Sequence, residues 1–207
     1  MKRPLGQILL ALTLWAAQAQ TADAHIVSAR LGDFYAGALH PLVDLQDLIM
    51  WGAMGILAGS LGAARGRSLV VVFPLGLIAG LFLASALGID ATARPALDAG
   101  IILVLGLLLA AAIRLPVSLL CALAFGLGVI RGAANASELG PQTDHVLFAA
   151  GLAGAGYVAI TLIMALAAAF RRPETAPSTS WRGIAVRGLG GWVAAIGLMM
   201  MALSLTS

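Results

Sequence analysis

Polar residues in this chain do not alternate with apolar ones; they are gathered into short clusters between long apolar runs. Six runs reach spanning length, roughly residues 46–64, 68–89, 97–113, 115–132, 146–170 and 185–205, judged against the ~20 apolar residues a bilayer demands of a helix. The pattern predicts an all-α protein, a polytopic helical membrane bundle of about six transmembrane helices. Only Arg114 separates the third run from the fourth, and Pro116 opens the fourth, so this pair is expected to fold as a tight helical hairpin. Read instead as one broken element, the pair would leave five spans. Ahead of the runs stand MKRPLGQ, then ILLALTLWAA, then QAQTADA: a basic segment, a ten-residue apolar core and a small-residue site at Ala22-Asp23-Ala24. That order is the pattern of a secretory signal peptide. The expected organisation is a signal peptide over 1–24, a short exported segment over 25–45 and a transmembrane domain over 46–207.

Composition strengthens this picture. Of 207 residues, 61% are hydrophobic and 10% charged, and the mean hydropathy is +1.00, far from soluble proteins. An isoelectric point near 9.8 would suggest nucleic acid in a soluble domain. Here the net charge is only +3 and the arginines occupy short loops, so topology accounts for them and the expected partner is the lipid bilayer. Cys121 is the single cysteine, inside an apolar run, and reads as a packing residue.

If the mature N-terminus is exported, the alternate loops sort by charge. One side carries Arg65, Arg67, Arg114, Arg171, Arg172, Arg182 and Arg187 against one acid, Glu174. The other carries Arg30, Arg94 and Arg131 with Asp33, Asp44, Asp47, Asp90, Asp98, Glu138 and Asp144. The positive-inside rule then agrees with the signal peptide: inner (plasma) membrane, both termini on the outer, periplasmic side. His25, His40 and His145 fall on that outer side too, so a polar site should open outward. Small-residue spacings at Gly55/Gly59, Gly76/Gly80, Gly128/Gly132 and Gly151/Ala155 suit close helix contact, within the bundle or between copies in a homo-oligomer.

The candidate chemistry begins at ALHPLVDLQDLIMWG, residues 38–52. His40-Pro41 suits the N-cap and first-turn positions, so a helix is expected to start there. On such a helix Asp44 and Asp47, four and seven residues on, share a face with His40, Trp51 and Met54 continue the stripe, and Gln46 points elsewhere. One imidazole and two carboxylates can hold a divalent cation; they also fit hydrated groups at headgroup level, with the acids favoured by the helix dipole. Asp98, just inside the run that follows Pro95, sits where an ionised group calls for a partner, and Arg94 and Arg131 are the nearest cations. Glu138 lies in the loop RGAANASELGPQTDH. Asp144 is placed to cap the next span, with His145 in its first turn. The candidate metal set is therefore His40, Asp44, Asp47, Asp98, Glu138 and His145.

The order of these features resembles the HupE/UreJ family of small nickel and cobalt permeases over nearly the whole chain. The family's His-Pro-x-x-Gly-x-Asp-His appears as His40-Pro41-Leu42-Val43-Asp44-Leu45-Gln46-Asp47. Its Pro-x-x-Glu-x-Gly-Ile appears as Pro95-Ala96-Leu97-Asp98-Ala99-Gly100-Ile101, with the carboxylate kept. Its His-Gly-x-x-His-Gly-x-Glu corresponds to Arg131-Gly132-Ala133-Ala134-Asn135-Ala136-Ser137-Glu138, where Gly132 and Glu138 survive. The resemblance implies a membrane permease for a divalent metal ion of the nickel and cobalt class. The departures are chemical: imidazoles are replaced, and Arg131 puts a permanent cation at a ligand position, suited to pairing with Asp98 or Glu138.

Two functions follow. One is a divergent divalent-metal permease with the ion as substrate and no certain cofactor. The other is a non-transporting accessory subunit of a larger membrane complex. No Ser/His/Asp set, cofactor motif or nucleotide-binding motif speaks for an enzyme or an ATP-driven pump.

Overall fold

The computed structural model describes residues 24–60, 62–89, 94–113, 115–171 and 181–206, with the backbone alone for residues 24–31, 63 and 65. The expected signal peptide thus lies outside the described residues except for Ala24, as does Arg114. The described residues are helical, with no strand: α1 (Ala24–Val43), α2 (Leu45–Ser60), α3 (Ala63–Leu87), α4 (Pro95–Ala111), α5 (Val117–Asn135), a 3-10 turn (Ala136–Glu138), α6 (His145–Phe170) and α7 (Trp181–Ser204).

Four helices are long and apolar enough to cross a membrane: Gly66–Leu87, Val117–Glu138, His145–Phe170 and Trp181–Ser204. The α1–α2 pair, bent by 79°, adds a fifth if it counts as one span. With 17 residues, α4 is about 25 Å long at ~1.5 Å per residue, short of a ~30 Å hydrocarbon core. The chain is a multi-pass helical membrane protein with four to five candidate spans among its described residues, where hydropathy predicts six.

Two local expectations are corrected. His40-Pro41 does not open a helix; it lies in the last turn of α1. Pro41 has no N–H for the ladder, and the chain bends directly after it. The carboxylate of Asp44 then accepts the Gln46 N–H at 2.8 Å, capping a new helix that begins at Leu45. His40, Asp44 and Asp47 therefore lie on either side of a bend rather than on one stripe. The segment 25–45 is correspondingly helical, packed on α6, where Gly37 meets the Phe148 backbone and Gly151 meets that of Phe34.

The second correction concerns the hairpin. α4 and α5 are not tightly paired: α4 packs chiefly on α7, and α5 on α3. Between them runs an apolar crevice of about 310 Å³ lined by Leu97, Val104, Leu123 and Leu127. Glycines account for the choice. Gly106 sits against the Ala194 backbone and Gly197 against that of Leu103, closing the α4/α7 seam; Gly76 and Gly80 face Gly128 and Val129, closing the α3/α5 seam. Backbone contact this close multiplies dispersion contacts in a medium where apolar burial drives little. Gly55 and Gly59 likewise meet Ile163 and Ala167 on α6, so these small-residue faces are filled within the chain.

The core lies where α2 and α3 meet the other helices. Met50, Trp51, Met54 and Leu57 of α2 pack with Phe73, Leu77 and Leu81 of α3, Ile102 and Leu105 of α4, and Phe148 and Leu152 of α6. Trp51 meets Phe73 edge to face at 5.5 Å.

A Cβ at Gly80 would overlap the Val129 carbonyl oxygen, whereas one at Gly126 meets open space. Gly80→Ala should cost about 1–3 kcal/mol by overpacking and lower the Tm of the detergent-solubilised protein, with Gly126→Ala near wild type. Equal Tm values for the two variants would contradict the α3/α5 seam.

Candidate functional site

One end of the bundle gathers the start of α2, the start of α4 and the end of α5. Asp98 falls in the first turn of α4, begun by Pro95 at its N-terminal position. There the helix direction turns its carboxylate inward, leaving it 7% exposed. Asp47, in the first turn of α2, is fully buried, and Arg131, near the end of α5, is 4% exposed. In a membrane protein such burial requires a partner.

The three nitrogens of one guanidinium supply it. Arg131 Nε donates to Asp47 Oδ1 at 2.6 Å, Nη2 to Asp44 Oδ2 at 2.9 Å and Nη1 to Asp98 Oδ1 at 3.2 Å. Arginine suits this role because its planar fork keeps five N–H donors in fixed directions, where lysine has a single point charge. With all three ionised, the carboxylates exceed their one cation within the cluster by two charges. Asn135, one turn beyond Arg131 on α5, gives its Nδ2 to the Arg131 carbonyl at 2.8 Å and to Asp47 Oδ2 at 3.4 Å. Its Oδ1 is buried and accepts no hydrogen bond from the described residues.

Asp44, Asp98, Arg131 and Asn135 form the floor of a cavity of about 580 Å³, with His40, Gln46, Arg94 and Glu138 also in its lining, while Asp47 lies fully buried against Arg131. Gln46 thus faces the site, contrary to the continuous-helix reading, because the bend rotates the start of α2. At the mouth, His40 Nε2 lies 3.9 Å from Glu138 Oε1, both side chains partly exposed. Beyond Asp47 the next turns of α2 present Met50, Trp51 and Met54, each at most 1% exposed. These side chains belong to the apolar core, in which Trp51 Nε1 is buried without a partner among the described residues.

Five of the six predicted site residues therefore line or border this cavity. His145 stands apart, its Nδ1 3.4 Å from Ser85 Oγ, in a neighbouring cavity of about 330 Å³. Asp144 caps α6 through the Val146 and Leu147 N–H groups as expected, and its own N–H is held by Asp33 at 2.8 Å. Asp98 pairs with Arg131 as anticipated, while Glu138 pairs with His40 instead. Sequence reasoning missed Asn135 and the convergence of Asp44 and Asp47 on Arg131. The signal for Asn135 was its spacing, four residues after Arg131 on one helix face. Among the described residues the carboxylates and histidines do not assemble into a ready metal-binding group, because the guanidinium stands between the three aspartates.

These features define a multi-pass helical membrane protein with a polar, carboxylate-floored cavity at one end. A family model described as HupE / UreJ protein matches residues 10–200, and the chain belongs to that family. No curated protein and no solved structure matches the chain significantly. The family motifs meet at this cavity: Asp44, Gln46 and Asp47 from the first, Asp98 from the second, Arg131, Asn135 and Glu138 from the third.

Removing Arg131 strands three carboxylates together. Arg131→Leu should destabilise the protein by about 3–5 kcal/mol, the scale of breaking a buried ion pair, and Arg131→Lys should recover only part of it. Adding Asp47→Asn to Arg131→Leu should return some stability, read as Tm in detergent across the double-mutant cycle. Independent, additive losses would contradict the coupling.

Proposed function

We propose that the protein is a divalent-cation permease whose substrate arrives from the outer side of a bacterial inner membrane and competes with Arg131 for Asp44, Asp47 and Asp98. The observation that carries this reading is the charge at and beneath the cavity floor: three carboxylates on one guanidinium, beside the Asn135 Oδ1, which accepts no hydrogen bond from the described residues. An excess of two negative charges in a low-dielectric site attracts a divalent cation, and the oxygen-only floor favours a hard ion such as Mn²⁺ or Mg²⁺ over Ni²⁺ or Co²⁺. His40 and Glu138 form a first contact at the mouth. In this scheme Arg131 is a tethered cation that holds the empty site together and leaves when the ion enters, while the core side chains of Met50, Trp51 and Met54 must part for passage. Supporting the orientation, Arg67, Arg171, Arg182 and Arg187 belong to the opposite helix ends.

A specific observation favours a second reading. Arg131 already satisfies three carboxylates with good geometry, as a purely structural clamp would, and such a protein could serve as an accessory subunit of a membrane complex.

Accumulation of manganese, magnesium, nickel and cobalt in cells producing the protein separates the two. The permease should raise one ion above the vector control, and Asp98→Asn, verified as folded, should cut uptake by about tenfold or more, the scale of losing one contact at a metal site. Wild-type cells with no accumulation of any divalent ion would leave the accessory reading standing.

A further inference from the structure

At the end of the bundle opposite the carboxylates, the C-terminal ends of α2 and α4, the residue that caps α6 and the first turns of α7 enclose a further cavity of about 330 Å³. Its lining is amphipathic. Arg171 and Arg187 stand at the lip with Ser60, above apolar walls formed by Leu57, Leu108 and Val186. Among the described residues no carboxylate contributes to the lining.

Both arginines are fixed by helix ends. Arg171 Nη1 donates to the Ser60 carbonyl at 2.9 Å, and Arg187 Nε to the Ala110 carbonyl at 2.9 Å, each a C-terminal carbonyl that lacks a full set of helical partners. Toward the described residues each guanidinium uses one donor of five, and neither forms an ion pair with a described residue. The remaining donors are preorganised for an oxyanion with several acceptor oxygens. On the same end, Trp181 is exposed and stacks edge to face on Phe170 at 5.5 Å, with Arg182 over both rings at 5.7 and 5.9 Å. An amphipathic aromatic beside cations marks the headgroup level of a bilayer.

We propose that this cavity binds the phosphate of an anionic phospholipid between Arg171 and Arg187, with the lipid's apolar part running along Leu108 and Ile113. The apolar walls select a lipid over a free anion, which would gain nothing from them, and basic pockets between helices on the arginine-rich side are suited to such headgroups. The lipid would join the ends of four helices, α2, α4, α6 and α7, at a place where α4 is short. The site is independent of the carboxylate cavity and of the transport reading.

Native mass spectrometry of the detergent-purified protein with added phosphatidylglycerol or phosphatidylcholine tests this. Phosphatidylglycerol adducts should exceed phosphatidylcholine adducts by roughly tenfold or more, given the contribution of each arginine at an anionic surface. Arg171→Gln with Arg187→Gln should abolish the preference, and Arg182→Gln, outside the cavity, should keep it. Equal adducts of the two lipids, or a preference that survives the double variant, overturns the proposal. If the double variant is not monodisperse, Arg187→Gln alone decides, and an unchanged preference overturns it. Excess inorganic phosphate should leave the lipid adduct in place; displacement would show a small-anion site and overturn the lipid assignment.

Discussion

One end of this helical bundle is organised around a guanidinium that three carboxylates share. Each charge alone would be costly there, and the cost falls only because Arg131 reaches Asp44, Asp47 and Asp98 at once. Meeting that condition ties together the bend after α1, the first turn of α4 and the C-terminal part of α5. Asn135 completes the arrangement by bracing Asp47 while leaving one acceptor oxygen unused.

The glycines set the frame on which this cluster hangs. Two seams, α3 with α5 and α4 with α7, bring backbones into direct contact, and together they leave a crevice rather than a close pair between α4 and α5. Arg131 on α5 and Asp98 on α4 thus come from helices that are held by other partners, and their ion pair bridges a gap that packing does not close. A site built across such a gap can change its spacing without unpacking either seam, a freedom on which the proposed exchange of an ion for Arg131 would depend.

The two ends of the bundle have opposite chemistry. One carries a cavity with excess negative charge, the other a cavity lipped by arginines that take no acid from the described residues. Helix direction contributes to this polarity. Asp47 and Asp98 sit at helix starts and Arg171 at a helix end, each where the helix dipole favours its charge.

The all-helical membrane class, the approximate limits of α2 to α7, the cap at Asp144 and the candidacy of Asp98 were legible in the sequence, because they depend on local apolar length, on charges flanking it and on single-turn hydrogen bonding. Membership of the HupE/UreJ family was legible from three short motifs for the same reason. The pairing of helices was not, since Gly76, Gly106 and Gly128 advertise close contact without naming a partner. Nor could the sequence decide between one stripe and two for His40, Asp44 and Asp47, because Pro41 fits both a first turn and a last one. Only the tertiary structure resolved these, through backbone contacts that selected the seams and through Arg131, whose fixed fork of donors required the three aspartates to converge from separate parts of the chain.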